Sequence, residues 1–248
     1  MKSLFIFLLQ PMFLIFLFIN CSSGKFVTAA SKGQLETMKT LLADNPNIDH
    51  QISLGQTALI LASKNGYKNV VQFLISHNAN LNIQDKNGNT ALHYACIEEF
   101  PEIVELLINN NALLDIKNKE GETPIYLASY SGNLKILDSL LSKKANPNIS
   151  NLNQNSPLMI AIDRGFINIV NQLIIANADK NAFNNEDLSP LFLAIKSARI
   201  DIFQTLLNSG ADPTIKNKLN YDVILFASYY GEREMMVYLL DHLRKQKK

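Results

Sequence analysis

The chain has 248 residues, of which 47% are hydrophobic and 18% charged, and its formal net charge is +1. This balance gives no electrostatic case for nucleic acid as a partner, because that binding depends on neutralising phosphates with an excess of Lys and Arg. The four histidines lack metal-ligand spacing, and no phosphate-cradling glycine loop or nucleophile motif indicates an enzyme, a metal site or a cofactor.

The first twenty residues form an apolar segment with a single charge, Lys2, and a break at Gln10 and Pro11. A short basic start before a hydrophobic stretch is typical of a secretory signal peptide, so we predict one over residues 1–20. The alternative is an uncleaved helix that anchors the protein in a membrane. The stretch is at the short end for crossing a bilayer, and Pro11 interrupts it.

Cys21 follows the apolar segment directly and precedes a short run of small residues. This arrangement resembles a bacterial lipoprotein signal, in which the cysteine is lipidated and becomes the first residue. Phe18 and Asn20 depart from the pattern, which usually has Leu and a small residue there. The resemblance implies an exported protein held by lipid in the bacterial cell envelope, on the periplasmic side or at the surface, with residues 21–24 as a lipidated, flexible linker. The alternative is a chance cysteine beside an ordinary cleavage site.

The rest of the chain is organised around a six-residue phrase that recurs every 33 residues, as in Thr90-Ala91-Leu92-His93-Tyr94-Ala95. A fixed period of this length indicates a solenoid, in which stacked units share one continuous core. The copies begin at Thr57, Thr90, Thr123, Ser156, Ser189 and Asp222.

Each copy of the phrase predicts the start of a short helix. Its first residue always carries a short side-chain oxygen, which suits the N-cap because it can accept hydrogen bonds from free backbone N–H groups. Proline follows in three copies, at the first helical position, where its missing N–H costs nothing. The third residue is always apolar, and the sixth is always Ala, which lets neighbouring helices approach closely.

A second helix is predicted after each phrase, because apolar residues recur there at a spacing that forms one stripe, as in Ile103, Val104 and Leu107. The turn between the two helices usually contains a glycine suited to a left-handed conformation. Glu99 and Ala198 replace that glycine, and we expect each to cost about 1 kcal/mol if the backbone conformation is kept. The glycines are Gly33, Gly66, Gly132, Gly165 and Gly231.

The segment from Asp85 to Ala95, together with Ile103–Leu107 and Asn111-Ala112, resembles an ankyrin repeat, and the resemblance covers roughly residues 25–248. It implies an all-α fold, an ankyrin-repeat solenoid of about seven helix-turn-helix repeats with hairpin-like connecting loops. The repeats fall at about 25–51, 52–84, 85–117, 118–150, 151–183, 184–216 and 217–248.

The resemblance also implies a non-enzymatic scaffold that binds a protein partner through a concave groove, formed by the loop tips and the exposed side of the first helices. No cofactor or small-molecule substrate is expected. Large apolar side chains that would pack against nothing in an isolated solenoid are the candidate partner-binding residues. They are Leu54, Ile97, Tyr130, Leu152, Leu188, Leu219, Tyr221, Tyr229 and Tyr230.

Three of these residues, Tyr221, Tyr229 and Tyr230, are expected to cluster at the C-terminal end and to anchor the partner, because Tyr is enriched in interface hot spots. The alternative is that Tyr229 and Tyr230 only cap the core of the last repeat. Two other functions stay open: an accessory or regulatory subunit of an envelope enzyme, for example in oxidant defence, and a host-directed effector.

Three further residue predictions concern the repeats themselves. Cys96 is expected to be a buried free thiol, and His93 to make a structural hydrogen bond. The adjacent Asp163 and Arg164 are expected to form a solvated pair that faces the groove.

Overall fold

The computed structural model describes residues 22–246, and this part of the chain is all-α, without a β-strand. The predicted all-α repeat fold is thereby confirmed, whereas the predicted signal peptide and Cys21 lie outside the described residues. The helices are α1 (22–31), α2 (Leu35–Leu41), a 3₁₀ turn (Leu42–Asp44), α3 (Ala58–Lys64), α4 (Lys68–Ser76), α5 (Ala91–Ile97), α6 (Pro101–Asn109), α7 (Pro124–Ser131), α8 (Leu134–Ser142), α9 (Pro157–Arg164), α10 (Ile167–Ile175), α11 (Pro190–Lys196), α12 (Ile200–Asn208), α13 (Val223–Tyr230) and α14 (Arg233–Gln246).

The first helix of each phrase begins where the sequence predicts, and its N-cap hydroxyl or carboxylate accepts the predicted backbone hydrogen bond in five copies. Ser189 is the exception: its backbone has the extended N-cap conformation, but its buried hydroxyl has no hydrogen-bond partner. In α5 the cap is reciprocal, because Thr90 accepts from the backbone N–H of His93 while the His93 ring accepts from the backbone N–H of Thr90. The structural hydrogen bond expected of His93 is therefore confirmed.

The turns between paired helices have the predicted left-handed conformation, also where glycine is replaced. Glu99 has a φ of 58° and Ala198 a φ of 51°. A further reason for glycine is close packing: a Cβ at Gly66 would lie 2.7 Å from the ring of Phe100, and one at Gly132 would lie 2.8 Å from the ring of Phe166. In both cases the ring belongs to the next repeat, so glycine there lets the neighbouring repeat approach.

The described residues form two compact units that divide between Leu113 and Leu114. Within the first unit, α3 packs on α5 and α4 on α6; within the second, α7, α9, α11 and α13 pack in order, as do α8, α10, α12 and α14. The alanine that ends each phrase is fully buried, as expected of a residue that permits close approach; these are Ala62, Ala95, Ala128, Ala161, Ala194 and Ala227.

Side-chain oxygens that recur every 33 residues join each connecting loop to the next one. In each case the oxygen accepts a hydrogen bond of 2.8–3.0 Å from a backbone N–H 31 residues later. The pairs are Asp49 with Asn80, Asn82 with Leu113, Asp115 with Asn146, Asn148 with Asp179, and Asn181 with Asp212. These bonds satisfy loop N–H groups that have no helical partner, and they fix the spacing of successive loops within each unit.

Part of the segment that the sequence predicts as a flexible linker is folded. Residues 22–24, expected to belong to a flexible linker, are helical, and Ser23 is fully buried. The Ser23 hydroxyl accepts from the backbone N–H of Asn47 at 2.9 Å, and the Ser22 hydroxyl donates to Asp44. Two small polar side chains thus pack into the repeat because the 44–47 turn supplies their partners. Along residues 22–246 no helix has both the length and the apolar character needed to cross a bilayer.

Candidate interaction surface

The hairpin tips are held in a common conformation, and this determines where their apolar side chains point. At the start of five tips one Asp or Asn side chain accepts from the backbone N–H groups two and four residues later, as Asn151 does from Asn153 and Asn155. The tip of Leu54 begins at Ile52 instead and is closed by backbone hydrogen bonds. Neighbouring tips are also joined through the backbone, since the N–H of Leu152 donates to the carbonyl of Glu120 at 3.0 Å. The Leu152 side chain is thereby left 64% exposed.

Two candidate residues lie in the first unit, and both are exposed as expected. Leu54 lies at a hairpin tip, where its carbonyl accepts from the backbone N–H of Lys86 at 3.0 Å, and its side chain is exposed. Ile97 is the last residue of α5 and is also exposed. The structure thus leaves one apolar side chain free on a loop tip and one on a helix end of this unit.

One candidate was placed wrongly by the sequence: Leu188 is buried, with 6% of its surface exposed. Its backbone is held by Asn184 on both sides, because Leu188 donates to the Asn184 side chain and accepts from the Asn184 N–H. It therefore lies at the base of its hairpin, next to the N-cap Ser189, and not at the tip. Leu188 is removed from the set of exposed candidates.

In the second unit, Tyr130 lies near the end of α7 and is 47% exposed, but it is not free of contacts. The guanidinium of Arg164 lies 4.5 Å from the centre of the Tyr130 ring and 5.8 Å from that of Phe166. Arg164 is therefore more than a solvated charge, because it stacks on an aromatic residue of the preceding repeat.

The three C-terminal tyrosines come together as expected, and we call Tyr221, Tyr229 and Tyr230 the tyrosine cluster. The ring centres of Tyr221 and Tyr229 are 6.3 Å apart, and those of Tyr229 and Tyr230 are 5.3 Å apart in an edge-to-face arrangement. Tyr229 is 72% exposed, as is the nearby hairpin residue Leu219 at 71%. Most of the surface of both side chains is therefore in contact with solvent and not with the repeat.

The tyrosine cluster is also joined to the buried core. Tyr230 packs on Phe226 at 4.7 Å, and Phe226 packs on the fully buried Phe192 at the same distance. Tyr230 therefore covers part of the core of the last repeat, which was the alternative role considered for it. Tyr229 does not share this role, because its contacts are with the other two rings of the cluster.

Beside the cluster, Lys196 forms a 2.8 Å ion pair with Glu186, and this hydrogen bond raises the lysine pKa. The pair borders a pocket of about 90 Å³ that Asp163 and Asn184 also line. Buried Tyr126 accepts a hydrogen bond from the Asn151 amide, and burial, with the nearby charge of Glu122 second, raises its pKa to about 12. The phenol is therefore neutral at physiological pH and serves as a hydrogen-bonding group.

Nothing in the described residues points to catalysis. Among residues 22–246, no three His, Cys, Asp or Glu side chains lie close enough together to hold a metal ion. Cys96 is fully buried, as predicted, and burial raises the pKa of its thiol, which disfavours the reactive thiolate.

Together, the paired helices, the hairpin loops and the 33-residue period define a helical repeat protein. A family model described as ankyrin repeats (3 copies) matches residues 26–118, 78–151, 100–184 and 125–217, and the chain belongs to the ankyrin repeat family. No curated protein matches the sequence. Ankyrin repeats generally bind protein partners, so the chain is an interaction scaffold at this level of description.

Sequence reasoning missed the bonds between loops and the stacking of Arg164 on Tyr130. The first had a signal, since Asp or Asn recurs every 33 residues from Asp49 to Asn181. The second had none, because a stacked guanidinium depends on the rotamer of a long side chain.

Proposed function

We propose that this protein is an exported scaffold, anchored to the bacterial envelope by lipid on Cys21, that recruits a protein partner. The export and the anchor rest on the sequence of residues 1–21, where an apolar segment ends at a cysteine.

The partner-binding surface in this proposal consists of the exposed hairpin tips and helix ends of the second unit, together with the tyrosine cluster. One observation carries it: Leu152, Leu219 and Tyr229 are all at least 64% exposed although each is large and apolar or aromatic. Leu219 and Tyr229 belong to the same repeat and Leu152 lies two repeats earlier, and exposed apolar groups that form a shared patch mark interaction sites more often than scattered ones do. Tyr130 adds to this surface, and Leu54 and Ile97 are candidates in the first unit.

We expect the tyrosine cluster to contribute most of the binding energy. Tyr229 presents a large ring at little cost in conformational entropy, because its neighbours Tyr221 and Tyr230 already restrict it. The Tyr230 ring is held by its contact with the ring of Phe226. A preorganised aromatic surface of this kind suits a protein segment that buries its own apolar side chains there.

The test is a pull-down from envelope extract with three versions of the protein: unchanged, Leu219→Ser with Tyr229→Ser, and Ile175→Ser. Ile175 is a matched control because it is as exposed as Tyr229, at 72%, but lies on the second helix α10. The proposal predicts a partner that is captured by the unchanged and Ile175→Ser proteins and lost from the double variant. If the double variant still captures the partner and Ile175→Ser does not, the partner binds the second helices of the repeats, and the proposal is overturned.

A further inference from the structure

Among the described residues, two tyrosines have a cation over the ring, and each pair joins successive repeats. In the first unit, the Lys64 ammonium lies 5.0 Å from the centre of the Tyr94 ring. In the second unit, the Arg164 guanidinium lies 4.5 Å from that of Tyr130. The attraction arises because the negative face of an aromatic ring favours a positive charge.

Tyr229 occupies the same place in its repeat as Tyr130 does in its own, 99 residues earlier. Its surroundings differ: among the described side chains no cation stacks on Tyr229, and two further tyrosine rings lie beside it. Its ring neighbours are Tyr221, tilted by 48°, and Tyr230, tilted by 74°. Because neither lies parallel to Tyr229, its ring is not sandwiched, and 72% of the residue is exposed.

One positive charge close to the cluster is balanced by a carboxylate. Lys196 lies close enough to Tyr230 for the two to interact electrostatically, and its ammonium forms an ion pair with Glu186. The cluster thus combines three tyrosine rings with a neighbouring lysine whose charge is locally balanced.

We propose that the partner presents a cationic side chain, a guanidinium or an ammonium, to the tyrosine cluster, in the way that Arg164 meets Tyr130 within the chain. The inference rests on the proposed function, and it specifies the chemistry of the partner at one position. The partner segment therefore carries an Arg or Lys that stacks on Tyr229, beside apolar residues that contact Leu219.

The test uses a display library of random peptides, selected on the purified protein. We expect the recovered peptides to contain a shared Arg or Lys. Replacing that residue by a neutral isostere, citrulline for Arg or norleucine for Lys, should weaken binding about two- to fivefold for each ring it contacts. Binding should survive Tyr229→Phe with Tyr230→Phe, which keeps the rings, and weaken by the same factor in Tyr229→Leu with Tyr230→Leu.

Two outcomes separate this inference from the proposed function. Peptides that lack a shared cation but are lost from the Leu219→Ser, Tyr229→Ser protein would overturn the inference and leave the interaction surface standing. Equal binding to the Leu and Phe variants would overturn it in the same way. Circular dichroism of each variant controls for folding, and recovery of no peptide that depends on these residues would count against both proposals.

Discussion

Phe100 packs directly against the turn at Gly66, which belongs to the preceding repeat. A Cβ at Gly66 would lie 2.7 Å from the Phe100 ring, closer than real Cβ contacts come, so the contact exists only because the position is glycine. The glycine therefore serves two purposes, a positive φ of 77° and room for the neighbouring ring. This coupling of one repeat to the next is typical of solenoids, in which stability comes from interfaces between neighbours.

We predict that Gly66→Ala destabilises the protein by more than backbone strain alone. Gly231→Ala is the matched control, because Gly231 has a similar φ of 75° but no atom within 4 Å of the added Cβ. The control should cost about 1 kcal/mol, and Gly66→Ala about 2–4 kcal/mol, because the ring of Phe100 must move. Urea unfolding followed by circular dichroism measures both. If both variants lose the same free energy of unfolding, the clash with the Phe100 ring adds nothing to the cost of the substitution.

Ala198→Gly is predicted to stabilise the protein by about 1 kcal/mol, because it relieves a left-handed residue that carries a Cβ. Ala198 is exposed, so the substitution removes no buried methyl. Ala176→Gly is the control: Ala176 has a φ of −79°, and glycine there should destabilise by increasing the freedom of the unfolded chain. The melting temperature should rise for Ala198→Gly and fall for Ala176→Gly. A fall in both would contradict the view that the left-handed backbone at Ala198 is strained.

The raised pKa of Tyr126 predicts a loss of stability at high pH. The phenol titrates at about 10 in the unfolded chain and about 12 in the folded protein, so its contribution is fully present below pH 10 and is lost as pH rises to 12. The loss corresponds to about 2–3 kcal/mol. Unfolding free energies at pH 9 and 12 should therefore fall more for the unchanged protein than for Tyr126→Phe. Parallel falls would mean that Tyr126 ionises normally.

Cys21→Ala tests the proposed anchor. The unchanged protein should partition into the detergent phase, because two or more acyl chains supply the anchoring energy, and the variant should stay in the aqueous phase. Ser22→Ala, which leaves the cysteine in place, is the control and should partition like the unchanged protein. If both variants stay in the detergent phase, lipid on Cys21 is not what holds the protein.

Much of the fold could be predicted because each repeat encodes its own local structure. The oxygen at Thr123, the proline after it and the glycine at the end of α7 determine where that helix starts and ends through contacts a few residues apart. Even Glu99 and Ala198 keep the expected left-handed turn, since the stacked helices on both sides require it. Repetition turned weak local signals into a reliable pattern.

The errors arose where a side chain depends on a neighbour that spacing does not reveal. Leu188 is buried although Tyr221, which makes the same backbone bonds with Asn217, is not. Ser23 is buried where its hydroxyl accepts from the backbone N–H of Asn47. Ser189 has the right residue type for a cap, yet its hydroxyl makes no bond. The sequence could place Tyr229 on the exposed side of its helix, but not the angles of the rings around it.

Amide hydrogen exchange of the protein, alone and in complex with the captured partner, tests the proposed binding surface most directly. We predict slower exchange in the complex at the hairpin tips around Leu152 and Leu219 and at the C-terminal ends of α7 and α13. Protection confined to the second helices α10 and α12, with unchanged exchange around the tyrosine cluster, would contradict it.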